Sequence, residues 1–255
     1  MEIYSFITDY LKEAGSRIKE KAGNIVDIGI KKSYLTEEDL RIERELTDII
    51  HTHFPDHALY AEEEHGDFPA ADNIWVIDPI SGTAPFIAGL PHYSLVVTHL
   101  YKNQPVFAAV YDPSVNELFT AEKGKGSFLN GKRLSINQTD RKIIFKICRP
   151  KRGSIEAEIL LNAVVNFDIS QNENSDAVNY CWVAAGKYGG FVTLAKDIFP
   201  ECAGMLIIEE AGGVFTSATG VPGVDIKNKL WIGGNESLQE PLKMALENTL
   251  STLVS

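Results

Sequence analysis

The feature that most constrains this chain is the segment Trp75–Thr83, a short apolar run that ends in Asp-Pro-Ile-Ser-Gly-Thr. The apolar residues 74–77 predict a buried β-strand that carries Asp78 to its end, where a proline interrupts the hydrogen-bond ladder. Gly82 then gives the backbone the freedom that a turn needs, and Thr83 places a hydroxyl beside exposed N–H groups. The segment therefore predicts an acidic side chain and a turn at one edge of a sheet.

A second acidic segment, Glu62–Glu64, lies upstream and also follows a short apolar run, residues 58–61. Two carboxylate-bearing strand ends beside a Gly-Thr turn are typical of a site for a hard divalent cation and a phosphate group. Structural alternatives stay open at this stage. Asp78 could cap the following turn, Glu62 could be a solvated charge, and Thr83 could be the N-cap of a short helix.

Composition limits the partners of the chain. Its 255 residues are 44% apolar, which is enough for a sizeable core, and its net charge is −11. This negative field repels nucleic acids and anionic membranes, so we expect neither as a partner, and a phosphate ester would need a local bound cation. Three widely spaced cysteines without a CxxC pair, no leader-like N-terminus and no membrane-length apolar run predict a cytoplasmic protein.

The order of predicted elements indicates a mixed α/β fold. Two amphipathic helices come first, a mostly antiparallel sheet follows, and strands then alternate with helices. Predicted helices cover residues 3–18, a segment capped by Thr36, and residues 156–164, 177–185, from Pro200 onward and 238–250. Predicted strands cover residues 93–101, 106–111, 117–121, 142–147, 191–194, 214–216 and 229–232, with a tight hairpin at Asn130-Gly131.

Other chemistries have little support in the sequence. Cysteine catalysis needs a histidine partner and a lowered thiol pKa, and nothing marks any of the six histidines as such a partner. The segment Gly124–Ser127 does not complete a nucleotide-binding motif and is predicted to be a turn.

Together these segments resemble the inositol monophosphatase family of magnesium-dependent, lithium-sensitive phosphatases. Trp75–Thr83 is similar to the family signature W-[IV]-[IV]-D-P-[IL]-D-G-T, Ala61–Glu63 to its G-E-E, and Leu35–Asp39 to its V-T-x-x-D. Glu210–Gly213 matches its E-A-G-G, and Phe119–Gly131 is similar to its central hairpin. The resemblance covers nearly the whole chain. It implies a layered α-β-α-β-α sandwich of the sugar phosphatase type.

The resemblance also implies a domain organisation and a set of roles. The expectation is one domain over residues 1–255, in two closely packed halves of roughly 1–140 and 141–255, and a homodimer. The implied reaction is attack of water on the phosphomonoester of a small polyol or sugar, assisted by Mg²⁺. The implied site residues are the metal ligands Glu62, Asp78 and the carbonyl of Ile80; the catalytic residues Asp39 and Thr83; and the substrate-binding residues Ser81, Gly82 and Thr83.

The chain departs from the family pattern on one side of this site. The second aspartate of the signature is Ser81, and the later Trp-Asp pair is Phe199–Pro200. An acid that grips the substrate in some members is replaced by Thr193. Asp197 and Glu201 flank the lost position and are candidate replacements. The half of the site that activates water is therefore retained, while the half that supports the leaving oxygen has lost its acids.

Three functions remain open from the sequence. The first is a working magnesium-dependent phosphatase with an altered second metal site. The second is a catalytically impaired relative that keeps the fold to bind a phosphorylated ligand or a protein partner. The third is a different reaction on a sugar phosphate that depends less on metal.

Overall fold

The chain builds two β-sheets from successive parts of its sequence. The computed structural model describes residues 2–30, 34–63, 66–136, 143–147, 169–170, 174–194, 197–217 and 230–244. The first sheet has seven strands in chain order, and only its β1–β2 pair is parallel. Its strands are β1 (Ala58–Ala61), β2 (Asn73–Ser81), β3 (Ser94–Tyr101), β4 (Gln104–Asp112), β5 (Glu117–Glu122), β6 (Gly126–Leu129) and β7 (Lys132–Arg133).

Among the described residues, the second sheet has five strands in the order β11-β12-β10-β8-β9 and mixes parallel with antiparallel pairs. Its strands are β8 (Ile143–Ile147), β9 (Ile169–Ser170), β10 (Gly190–Leu194), β11 (Val214–Ser217) and β12 (Leu230–Gly234).

Helices pack on both faces of the first sheet. The described helices are α1 (Ser5–Lys21), α2 (Glu37–His53), α3 (Thr83–Ile87), α4 (Asp176–Ala184) and α5 (Phe199–Glu210), with 3₁₀ turns at Glu2–Tyr4 and Glu236–Leu238 and helical residues 239–244. Neighbouring residues of β3 show the layering, since Val97 joins the core with α1 and α2, and Val96 joins the core with α4 and α5. Phe215 and Trp231 of the second sheet complete that second core, so α4 and α5 lie between the sheets.

Most predicted elements are confirmed, and the hairpin at Asn130-Gly131 shows why. Both residues have positive φ angles, 48° and 78°, which is the backbone conformation that Asn-Gly supplies in a two-residue turn. The segment Gly124–Ser127 is also confirmed as a turn that leads into β6. The predicted helix at 156–164, residue 142, residue 229 and the end of the predicted last helix lie outside the described residues.

One local prediction is wrong. The strand that holds Asp78 does not end there, because β2 continues to Ser81, which pairs with Ser94. Pro79 instead causes a shift of register between Asp78 and Ser81, since proline has no N–H to donate to the ladder. Within the described part of the chain, no helix is long and apolar enough to cross a membrane.

Candidate functional site

Helix α2 delivers the first acid of the site. Thr36 caps the helix as predicted, and a reciprocal capping box forms in which the Asp39 carboxylate accepts a 2.8 Å hydrogen bond from the Thr36 backbone N–H. The Thr36 hydroxyl donates to the same carboxylate oxygen. Asp39 is completely buried, so its carboxylate is fixed in position at the first turn of the helix.

The parallel strands β1 and β2 bring the next two acids together. Ala61 pairs with Ile77, and the Glu62 N–H donates to the Ile77 carbonyl at 3.0 Å, so the residues that follow lie side by side. The Glu62 carboxyl group lies close enough to Asp78 to raise the pKa of Asp78. Asp78 is only 3% exposed, and its Oδ1 atom has no hydrogen-bond partner among the residues that the structure describes.

The turn after β2 adds the Gly-Thr segment. Gly82 adopts a left-handed φ of 85° and is the N-cap residue of α3, so the alternative in which Thr83 is the N-cap is wrong. The Thr83 hydroxyl lies 2.9 Å from the Ile80 carbonyl oxygen and 3.3 Å from Asp39 Oδ1. A hydroxyl has one proton, so Thr83 donates to one of these two oxygens at a time. Thr83 thereby connects Asp39 to the turn.

The site is electrostatically strained by its own carboxylates. Burial raises the pKa of Asp39 to about 7; hydrogen bonds from Thr36 oppose the rise, and the charges of Glu63 and Glu62 add to it. Burial also raises the pKa of Asp78 well above its usual value, and the neighbouring Glu62 and Asp197 raise it further. When several carboxyl groups lie close together, they raise one another's pKa unless a positive charge lies beside them.

Ser81, Thr193 and Pro200, the three substituted positions, are all buried and carry no carboxylate. The Ser81 side chain is buried and close enough to Asp78 to lower the pKa of that carboxyl, against the larger effect of burial. Pro200 is buried in the first turn of α5, and the preceding Phe199 ring stacks on Tyr60 with centroids 5.0 Å apart. Thr193 on β10 is 1% exposed, and its hydroxyl has no partner in the described part of the chain.

The two candidate replacement acids point to different places. Glu201 is buried and accepts a 3.0 Å hydrogen bond from the Tyr180 hydroxyl, which holds it in the contact between α4 and α5. Asp197 accepts a 3.2 Å hydrogen bond from the Phe199 N–H and lies close enough to Asp78 for its charge to act there. The structure therefore separates two acids that the sequence treats alike.

Glu43, which was not predicted from the sequence, hydrogen-bonds the segment that carries Glu62 and Glu63. Glu43 lies one helical turn after Asp39 on α2, is 4% exposed, and accepts a 2.9 Å hydrogen bond from the Glu63 N–H. This bond ties α2 to the segment that follows β1. The available signal was an acidic residue directly after Ile42 on the apolar face of the helix, where an unpaired charge is costly.

Oxygen donors of this kind suit a magnesium ion. Glu62, Asp78 and the Ile80 carbonyl offer the carboxylate and carbonyl oxygens that hard cations prefer, and the unpartnered Asp78 oxygen is an available ligand atom. No group of three or more His, Cys, Asp or Glu side chains in the described ranges is arranged to hold a metal directly. These groups could hold a cation through two side chains and a carbonyl, with water as the remaining ligands.

Comparison with known proteins agrees with the geometry. The sequence profile of the inositol monophosphatase family matches residues 1–251. The chain is 30% identical over 226 residues to a fructose-1,6-bisphosphatase/inositol-1-monophosphatase of Thermotoga maritima, covering 86% of each protein. It is 33% identical over 227 residues to the Nus factor SuhB of Escherichia coli, covering 80% of this chain and 84% of that protein.

Solved structures give the same assignment. The inositol monophosphatase structure from Thermotoga maritima superposes with a TM-score of 0.84 at 26% identity and covers 99% of this chain and 100% of its own. The extragenic suppressor protein SuhB of Bartonella henselae superposes with a TM-score of 0.85 at 25% identity, covering 97% and 99%. The layered fold expected from the sequence is therefore confirmed. The chain belongs to the inositol monophosphatase family.

Proposed function

We propose that this protein is a magnesium-dependent phosphomonoesterase that acts on a small polyol or sugar phosphate. The single observation that carries the proposal is the meeting of Glu62 and Asp78, with a buried Asp78 oxygen that lacks a partner among the described residues. Such an arrangement is costly without a cation and favourable with one. A Mg²⁺ ion held by these two carboxylates and the Ile80 carbonyl would activate water and offset phosphate charge.

The roles of the other residues follow from their positions. Asp39 and Thr83 form a hydrogen-bonded pair that orients the attacking water, and a pKa of about 7 suits Asp39 to accept its proton near neutral pH. The backbone N–H groups of Gly82 and Thr83 bind the phosphate, because the first N–H groups of a helix have no partner within it. The Ser81 side chain borders the substrate beside Asp78.

The leaving oxygen receives less support in this site than the attacking water. Ser81, Thr193 and Pro200 occupy the positions where acids are expected, and none of them carries a charge. Loss of one charge-stabilising group in a transition state commonly costs about 3 kcal/mol, or roughly a hundredfold in rate. We therefore expect slow turnover, and faster turnover with esters whose alcohol is a good leaving group.

A panel of phosphate esters tests the proposal. Purified protein with Mg²⁺ is given inositol 1-phosphate, fructose 1,6-bisphosphate, 2′-AMP and p-nitrophenyl phosphate, and the released phosphate is measured. We expect release that EDTA abolishes and that Asp78→Asn removes. Absence of release from every ester, with Mg²⁺ bound, would overturn the catalytic proposal.

The relatives named Nus factor support a second candidate function. Several relatives at 30–33% identity carry that name, and they match this chain over 74–80% of its length. In this alternative the protein binds a partner and its weakened site has little catalytic role. Ser81→Asp separates the two candidates, because the added carboxylate beside Asp78 should strengthen Mg²⁺ binding and raise turnover in an enzyme. Unchanged, undetectable turnover together with tighter Mg²⁺ binding favours the binding protein.

Other expectations from the sequence stay predictions. They are a homodimer, a cytoplasmic location, the absence of membrane and nucleic-acid partners, and a single domain in two halves. Gel filtration and an RNA-binding assay at varied salt test two of them, and the Nus-factor relatives make the second assay a necessary control.

A further inference from the structure

The start of helix α5 packs directly on the two strands that carry the acids. Phe199 stacks on Tyr60 with ring planes 8° apart, and Tyr60 lies two residues before Glu62. Ile198 and Phe199 share a buried cluster with Val76, which lies two residues before Asp78. These contacts fix residues 198 and 199 against β1 and β2, two residues before Glu62 and Asp78.

Asp197 lies at the edge of this contact. Its carboxylate accepts the Phe199 N–H at 3.2 Å, which anchors the side chain at the beginning of the helix. Its charge acts on two groups of the neighbouring strands. Burial raises the pKa of both Asp78 and Tyr60, and Asp197 adds to the rise in each case. The position of Asp197 is thus defined by packing, by a hydrogen bond and by its electrostatic effect.

Resting on the proposed phosphatase function, we propose that Asp197 is a third carboxylate of the cation site and binds Mg²⁺ through its hydration water. The unpartnered oxygen of Asp78, 97% buried with its residue, independently indicates that a cation belongs beside it. The described carboxylates do not converge closely enough for three to contact one metal. A water-mediated role agrees with this geometry, because Mg²⁺ usually keeps several of its waters.

The role would explain how the site tolerates its substitutions. Ser81 and Pro200 leave the region beside Asp78 without the negative charge that a cation needs, and Glu201 is held away by Tyr180. Asp197 restores one negative charge from the same connection between β10 and α5. Because Asp197 lies three residues before Pro200, we expect it to interact with the cation through a water molecule and not directly.

Calorimetric titration of the metal-free full-length protein with MgCl₂ tests the proposal. Asp197→Asn keeps an oxygen for the Phe199 N–H and removes only the charge. We expect its Mg²⁺ affinity to fall roughly tenfold, as is typical when a group just outside the metal ligands is lost. Asp67→Asn is the matched control, because Asp67 also acts on Tyr60 but is not one of the main causes of the raised pKa of Asp78. It should change the affinity less than twofold.

The outcomes distinguish this proposal from the proposed function. Wild-type affinity in Asp197→Asn, with binding lost in Asp78→Asn, would overturn the role of Asp197 and leave the cation site intact. No Mg²⁺ binding by the wild-type protein would overturn both. Asp197→Ser, which also keeps a cap for the Phe199 N–H, must behave like Asp197→Asn, and thermal unfolding of each metal-free variant confirms that it is folded.

Discussion

Replacing Asp78 by asparagine should make the metal-free protein more stable and abolish the proposed binding of Mg²⁺. Asp78 is 3% exposed, its Oδ1 atom has no partner in the described part of the chain, and Glu62 adds a second carboxyl beside it. A buried polar atom without a partner costs about 1–3 kcal/mol, and more if it is charged. An asparagine amide has no charge and donates to the Glu62 carboxylate. We therefore expect a gain of about 2 kcal/mol in EDTA.

The pH dependence follows from the raised pKa of Asp78. In the folded protein Asp78 holds its proton to a higher pH than in the unfolded chain, so the free energy of unfolding decreases as pH rises above the unfolded value of about 3.9. The gain from Asp78→Asn is accordingly larger at pH 8 than at pH 5. Thermal unfolding in EDTA measures it, and 2 kcal/mol corresponds to a rise in Tm of about 5 °C for a chain of this size.

A second buried acid supplies the control. Asp112 is completely buried but accepts hydrogen bonds from His92 Nδ1 at 2.9 Å and from the Ser114 backbone and hydroxyl. Asp112→Asn should destabilise the protein by about 1–3 kcal/mol, because its charge is satisfied. Mg²⁺ should raise the Tm of the wild type and of Asp112→Asn but not of Asp78→Asn. Destabilisation by Asp78→Asn in EDTA, or an equal effect of Mg²⁺ on all three proteins, would refute the reasoning.

Three further changes test other parts of the account. Glu43→Ala removes the acceptor of the Glu63 N–H and should weaken Mg²⁺ binding about tenfold in calorimetry, whereas Glu43→Gln, which keeps an acceptor, should bind nearly normally. In urea unfolding, Gly82→Ala should destabilise the protein by roughly 2–3 kcal/mol and Gly131→Ala by about 1 kcal/mol. Both glycines have a positive φ, but of the two only Gly82 has a backbone atom close to an added Cβ, at 3.2 Å. Equal losses would contradict the close contact. Burial, with a smaller effect of a neighbouring histidine, lowers the pKa of His99 to about 4. The unfolded chain therefore binds a proton at His99 below about pH 6.5 while the folded protein does not. The free energy of unfolding should consequently fall by about 2–3 kcal/mol between pH 6.5 and pH 4. Replacement by Gln should remove this slope in urea titrations, and an unchanged slope would assign it to other groups.

Local sequence signals predicted the parts of the fold that depend on local physics. Thr36 was predicted to be an N-cap because a threonine directly before an acidic first turn is a local signal, and the structure confirms the cap. Asn130-Gly131 predicts a hairpin because few other dipeptides adopt two successive positive φ angles. The register shift at Pro79 could not be predicted from the sequence. A missing N–H can end a strand or only shift its register, and the pairing of Ser81 with Ser94 decides between them.

The site was predictable where one segment carried both the acid and the turn, and less so where it depends on contacts across the fold. Glu43 contacts Glu63 twenty residues away, and such a contact leaves no local pattern in the sequence. Asp197 and Glu201 are equally close to the lost position in the chain. Only the folded structure shows that the charge of Asp197 acts on Asp78, whereas Glu201 is hydrogen-bonded to Tyr180.

The most direct measurement of the central claim is anomalous diffraction from crystals soaked in MnCl₂. The account predicts one strong peak between the carboxylates of Glu62 and Asp78, at about 2.1 Å from an oxygen of each, since Mn²⁺ occupies sites built for Mg²⁺. If no peak lies between these two carboxyl groups at saturating Mn²⁺, the claim that they form a cation site is contradicted.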